Sequence, residues 1–264
     1  MKKFPLNRKI LLSSWKIPSS SYYYKAKSKD DSSIKEEIEH TLAENPYYGH
    51  RRIAMCLGIN KKCVQRVMQK YFLHCQRKKK IRRYPKVRES FANNLLKDLP
   101  VKAKNQVWAT DFTYLKWRNS FVYFSTVIDV FTRELKAWNL STRKDSFLVL
   151  NTIENTNENP QIMHSDHGLE YVSSLYQNNL KSRNIQISMS NKGHPWENGY
   201  QESFYSRFKA ESGGIKDCKN FLEIKEKIRN WVEYYNKKRI HTALKMPPQA
   251  FRELGDKHSS FRGT

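Results

Sequence analysis

The chain has 264 residues, enough for one large domain or for a catalytic domain of about 150 residues with a smaller module beside it, so a staple-dependent miniprotein is excluded. Its 49 Lys and Arg against 25 Asp and Glu leave a net charge of +24, and 13% aromatic content sets it apart from a merely charged disordered tail. A folded chain this basic gathers phosphate-rich partners and releases their counterions on binding, which makes nucleic acid the expected partner.

The most apolar run, residues 121–131, is interrupted by Ser125, Thr126 and Asp129 and falls short of the roughly 20 residues that cross a bilayer. No membrane association is expected. The apolar piece from Ile10 to Leu12 is too short for a secretory signal. Cys56, Cys63, Cys75 and Cys218 form no CxxC pair, so reduced thiols in a cytoplasmic protein are expected, with neither disulfides nor structural zinc.

Residues 1–100 hold 24 basic and 8 acidic side chains, a net of +16, which leaves +8 for the other 164. After a basic segment over 1–30, Ile34, Ile38 and Leu42 mark a helix that stops at Asn45-Pro46. A short basic helix over 51–57 should end at Gly58. Asn60 can then cap a helix whose Val64, Val67, Met68 and Tyr71 share one face. Residues 31–76 therefore read as a small all-α module resembling a helix-turn-helix, either a groove reader or a plain docking unit, with Arg51, Arg52, Lys61, Lys62 and Arg66 as candidate DNA contacts. A linker over 77–99 follows. Its Arg77, Lys78, Lys79, Lys80, Arg82 and Arg83 repel one another without any acid before Glu89, a pattern suited to tracking phosphates.

Past Pro100 the texture changes to β-formers over 107–115, 121–129 and 134–140, a three-stranded meander with a polar turn at 118–120. A helix over 146–155, a strand over 161–165, a helix over 173–182, a strand over 185–189 and a helix opening after Pro195 complete a βββαβαβα order. That order is a mixed sheet with helices on its faces. Ile224, Ile228, Trp231, Val232 and Tyr235 mark a last amphipathic helix ending before Pro247-Pro248, with the core spanning 100–255 and a tail over 256–264.

Three acids stand where folding does not want them. Asp111 lies in a strand on the face of Val107 and Ala109, where an unpaired carboxylate costs several kcal/mol unless a cation compensates. Asp166 follows a strand at its carboxyl end, where open α/β sheets place ligands, and Gly168 permits a tight exit. Glu202 lies on a helix with Lys209 seven residues on, so the two share a face and one can hold metal while the other meets phosphate. Mg²⁺ prefers such oxygen ligands, and two ions clamped by a shared carboxylate perform phosphoryl transfer without a Ser, Cys or His nucleophile. His164 and His167 flank Asp166 without a further nitrogen or sulfur ligand at zinc spacing, so they are expected to support the site or touch DNA. Asp129, near Arg133, reads as an ion-pair or turn residue. Trp108, Trp138 and Trp231 read as core, and Tyr235, Asn236, Arg239 and His241 form a polar-aromatic cluster that either caps and packs or meets DNA.

With 35 residues between the last two acids, the contexts W-A-T-D-F-T-Y, H-S-D-H-G-L-E-Y and P-W-E-N-G-Y-Q-E-S-F-Y-S-R-F-K-A-E closely resemble the integrase-core DDE transposases of bacterial insertion sequences, second reading frame of the IS-three group. Y-Y-G-H-R-R-I, K-K-C-V-Q-R-V-M and Y-Y-N-K-K-R-I-H-T-A-L-K-M-P-P extend the resemblance over residues 10–255. His167, Glu170 and Glu197 depart from the family's usual residues. The resemblance implies a ribonuclease H-like mixed five-stranded sheet with flanking helices. Its Asp111, Asp166 and Glu202 would be both catalytic and metal-binding, and Mg²⁺ or Mn²⁺ would be the cofactor. It also implies cleavage of the element's ends and joining of the freed 3′-hydroxyl to target DNA, with Lys209 against the terminal DNA and Arg239 as a further DNA contact. Partners would be double-stranded terminal repeats and target DNA, a second copy of the chain on DNA, and an upstream-frame product as fusion partner, in the bacterial cytoplasm at the nucleoid. The rival expectations are a DNA-end-binding protein that needs that partner to act and a nuclease of RNA–DNA hybrids.

Overall fold

The computed structural model describes residues 12–16, 18–22, 30–76, 93–96, 99–191 and 195–260. Its sheet has five strands in the order β3-β2-β1-β4-β5: β1 (Val107–Trp117), β2 (Ser120–Asp129), β3 (Leu135–Ser141), β4 (Ile162–Ser165) and β5 (Gln186–Met189). The first three are an antiparallel meander, and β4 and β5 add in parallel, giving the expected ribonuclease H-like mixed sheet. The first hairpin is tighter than expected. Trp117 pairs with Ser120, and Arg118 adopts φ of 51° to close a two-residue turn.

Before the sheet, beyond a short helical turn at Ser19–Tyr22, come α1 (Ser32–Glu44), α2 (His50–Leu57) and α3 (Lys61–Lys70), which pack on one another. Their facing residues Ile38, Ile53, Val64 and Val67 are fully buried. Gly58 ends α2 at φ of 66°, and the Asn60 side chain caps α3 by accepting from the Lys62 amide. On one face of the sheet lie α4 (Ser146–Glu154), α5 (Leu169–Val172) and α6 (Ser174–Ser182), packed on Trp108, Val127 and Met163. On the other, α7 (Gly199–Glu211) and α8 (Phe221–Lys237) bury Phe204, Phe208, Ile228 and Trp231 against Val122 and Phe124.

Three boundaries differ from the sequence reading. Residues 93–99, assigned to the linker, belong in part to the core: the Leu95 amide donates to Ser188 Oγ (3.0 Å), and Leu96 and Leu99 pack on Val107, Ala109 and Ile162. Leucines bury on a sheet face where a charged linker would not. The short α5 was not foreseen, since four residues carry no readable period. The tail boundary at 256 falls inside α9 (Pro248–Ser260), whose first proline is preset for a helix start. Phe251 meets Phe131 at 5.5 Å, and Arg252 donates to Glu134 (2.8 Å), which holds α9 on the sheet's end.

Asp129 is a turn residue. Its carboxylate accepts from the amides of Phe131, Thr132 and Asn105 and from Trp108 Nε1. It thereby organises the β2–β3 turn around Arg133 without an ion pair to it.

One set of contacts registers α7 on the sheet. Gln201 Nε2 donates to the Ala109 carbonyl (2.6 Å), Tyr205 Oη to the Asp111 carbonyl (2.6 Å) and Lys209 Nζ to Thr113 Oγ1 (2.6 Å). The Tyr205 hydroxyl also lies 2.8 Å from Thr126 Oγ1 and 3.2 Å from the Phe124 carbonyl. Removing it strands buried partners, so Tyr205→Phe is expected to cost about 1–3 kcal/mol in urea unfolding. An unchanged midpoint would mean that the hydroxyl does not tie the helix to the strand.

Candidate active site

Strand register brings the first two acids together. β1 and β4 run parallel with Val107 opposite Ile162, Trp108 opposite Met163 and Ala109 opposite His164. The same offset of 55 continued two residues brings Asp111 to the level of Asp166, immediately past the end of β4. Asp111 is half-buried, accepts from the Phe112 amide (2.7 Å), and is pushed well above the usual carboxylate range by burial first and by the Asp166 and Glu202 charges beside it. Burial also raises Asp166, against the Gly168 amide that donates to Oδ1 (2.9 Å). Gly168 is required by close approach: a Cβ there would stand 3.1 Å from Asp166 Oδ1 and 2.9 Å from Glu170 Oε2.

Glu202 arrives from α7. It is exposed and lines a groove with His50, Arg51 and Arg52 of α2 and Ser206 and Arg207 of its own helix. Its charge reaches Asp111. Lys209, two turns on, lies 5.0 Å from the Tyr114 ring, and the Asp111 charge holds its proton against the effect of burial. Two aspartates side by side and a third carboxylate within electrostatic range offer oxygen donors alone, the set a hard divalent cation prefers. Among the described residues no three His, Cys, Asp or Glu side chains are gathered closely enough to hold an ion.

His164 is buried, with Nδ1 2.9 Å from Ser188 Oγ, and burial lowers it to about 4, so it is a neutral imidazole. His167 lies close enough to Asp166 for its charge to favour the carboxylate. Of the candidate DNA contacts, Arg51, Lys61 and Lys62 are exposed. Arg66 is engaged by the buried Asp31, to which it donates at 2.6 and 2.7 Å, with Lys70 on the same carboxylate. Arg239 is a correction. At 2% exposure it is bidentate to Glu211 (2.6 and 2.7 Å), so it joins α7 to the chain after α8 and has no free fork for DNA. Tyr235 and Asn236 likewise pack: Tyr235 Oη donates to the Arg133 carbonyl (2.9 Å), and Asn236 bonds both backbone groups of Leu135. Arg77, Lys78, Lys79, Lys80, Arg82 and Arg83 lie outside the described residues. Arg207 also lines the groove at Glu202; it lies within the quoted P-W-E-N-G-Y-Q-E-S-F-Y-S-R-F-K-A-E context, where nothing set it apart as a site residue.

Two descriptions, both "Integrase core domain", match this chain over residues 101–195 and 183–248. Transposase InsK for insertion sequence element IS150 of Escherichia coli (strain K12) is 35% identical over 260 residues, covering 92% of this chain and 91% of that protein. The transposase for insertion sequence element IS904 of Lactococcus lactis subsp. lactis is 37% identical over 148 residues, covering 54% of this chain and 58% of that protein. Among solved structures, the HTLV-2 integrase catalytic core domain in complex with magnesium aligns at 16% identity with a TM-score of 0.48, over 56% of this chain and 96% of that one.

The Asp111 environment makes a signed prediction. Because its carboxyl is raised in the fold, the native state holds more proton than the unfolded chain once pH exceeds about 4, and stability falls as pH rises from there. In chelator at neutral pH, Asp111→Asn is expected to melt above the wild type. It is also expected to melt at the same temperature in Mg²⁺ as in chelator. A variant melting at or below the wild type in chelator would show that Asp111 bears no such cost.

Proposed function

Since the chain belongs to the integrase-core transposases of bacterial insertion sequences, we propose that it is their catalytic protein, a polynucleotidyl transferase that cleaves DNA at the element's ends and joins the freed 3′-hydroxyl to a target phosphodiester. The observation that carries this reading is the parallel register that sets Asp111 level with Asp166 at the carboxyl end of the sheet, with Glu202 on a helix tied to the same strand.

Asp111, Asp166 and Glu202 are the residues that would hold divalent metal, Mg²⁺ or Mn²⁺. When bound, such ions sharpen an attacking oxygen and offset charge on the leaving one. The chain's own groups do the rest. The Gly168 amide orients the Asp166 carboxylate. Thr113 and the Tyr114 ring hold Lys209 beside Asp111, where its ammonium meets the phosphate under attack. Neutral His164 keeps the strand ends in place through Ser188 and adds no charge to the carboxylates. The attacking oxygen belongs to water or DNA, so no covalent enzyme intermediate forms.

Residues 31–76 then serve as a DNA-gripping module, with Arg51, Lys61 and Lys62 as phosphate contacts, and the basic linker tracks the backbone beyond it. Terminal repeats and target DNA are the substrates, a second copy of the chain and an upstream-frame product the protein partners, and the nucleoid the place of action. Among the described residues no helix is long and apolar enough to cross a membrane.

The test is Mg²⁺-dependent nicking and strand joining on labelled DNA bearing the element's terminal repeats. Glu202→Gln keeps the shape and removes the charge. It is expected to lower both products by roughly a hundredfold or more, a barrier change of about 3 kcal/mol. Products formed equally by both proteins would remove Glu202 from the site.

A further inference from the structure

Four arginines and a histidine from four separate elements converge on one cleft of about 1400 Å³: Arg52 from α2, Arg133 from the turn after β2, Arg207 from α7, and Arg239 and the neutral His241 from the chain after α8. Arg239 is satisfied internally by Glu211. The others are not. Arg133 has Nε and Nη1 buried without a hydrogen-bond partner, Arg52 has Nε so, and His241 has Nδ1 so. Two of the guanidinium groups lie against aromatic faces, Arg133 4.2 Å from the Tyr200 ring and Arg52 5.5 Å from the Tyr48 ring. Arg133 is presented from a backbone at φ of 61°, an uncommon conformation for a residue other than glycine. Glu197, the acid lining the cleft, is engaged by the Asn191 backbone and side-chain amides.

Buried guanidinium donors without acceptors, beside like charges, cost free energy that an anion would return. The field at His241 has the matching sign: burial first, and then Arg133, Arg239, Arg52 and Arg207, lower it to about 4. The cleft is also continuous with the groove at Glu202, because Arg52, Gly199, Ser203, Arg207 and Thr242 line both. A nucleic-acid strand leaving Glu202 along α7 therefore runs into the arginines.

We infer that Arg52, Arg133, Arg207 and His241 form a pocket for a backbone phosphate of the DNA strand, a fixed number of nucleotides from the phosphodiester that reacts. The inference rests on the transposase reading for its ligand, and its geometry adds a coupling. Arg52 belongs to the N-terminal helices, so the pocket is complete only while these helices are docked on the catalytic domain. DNA binding and docking consequently favour one another.

The test is performed on the full chain in EDTA, so that binding is read without cleavage, using a labelled duplex carrying the terminal repeat over a range of salt concentrations. Arg133→Gln and Arg207→Gln are each expected to weaken binding about tenfold and to lower the slope of log affinity against log salt by about one. Lys225→Gln, on the exposed face of α8, reports the loss of one charge elsewhere. A scan replacing single phosphates by neutral methylphosphonates should find a position that weakens the wild type and is silent in Arg133→Gln. Arg207 is exposed, so Arg207→Gln preserves the fold if the half-buried Arg133 proves necessary for it. Losses no larger than that of Lys225→Gln, with no such position in the scan, would overturn the assignment. So would stabilisation by inorganic phosphate with a flat scan, which would make the ligand a free anion. Because no product is scored, failure of the Glu202 assignment leaves this outcome readable.

Discussion

The contact on which the site depends is the step-matched ladder between α7 and β1. Gln201, Tyr205 and Lys209 are four apart on the helix, and Ala109, Asp111 and Thr113 are two apart on the strand. Four helical residues rise about 6 Å and two strand residues about 6.7 Å, so three successive contacts stay in register before twist separates the elements. Tyr205 grips the backbone of Asp111 itself, and Glu202 is one residue from Gln201. The third carboxylate thus inherits its position from a hydrogen-bonded helix, whereas the first two inherit theirs from the β1–β4 register.

Around that ladder the protein concentrates like charges in two places. At the strand ends, Asp166 and Glu202 raise Asp111 even within a chain of net charge +24. Across α7, arginines crowd a cleft with little acid in it. Each arrangement is costly alone, and each is complementary to one component of a single complex: cations for the carboxylates, phosphates for the arginines. Glu202 and Arg207 emerge from the same helix between them.

The N-terminal helices are held where they can contribute. Tyr48 Oη accepts from the Ile240 amide (2.9 Å), Tyr234 Oη donates to Asn45 Oδ1 (2.8 Å), and Ile240 enters the apolar cluster of α1–α3. The residues that terminate α1 and α8 therefore bind each other's domains. A charge run between two folded parts reads in sequence as a spacer, yet these contacts span 189 and 192 residues and depend on no local pattern.

Period and punctuation carried the sequence reading far. The β-formers over 107–115 and 121–129, the stop at Gly58, the cap at Asn60 and the apolar stripe from Ile224 to Tyr235 each follow from interactions within one turn or one strand pair. Asp111 was legible for a related reason, since an acid among β-formers conflicts with burial wherever the strand lies; Asp166 was read from its place past a strand end, Glu202 from the helix face it shares with Lys209, and the resemblance joined the three. What sequence alone could not supply is pairing at a distance. That Arg239 is consumed by Glu211, that Leu96 and Leu99 belong to the core, and that Arg133 and Arg207 meet Arg52 all depend on which surfaces come together. The local chain determined the elements and the chemistry each one carries. Only tertiary packing decided which charges are satisfied from within and which remain open, because a charge is paired by the group beside it in space.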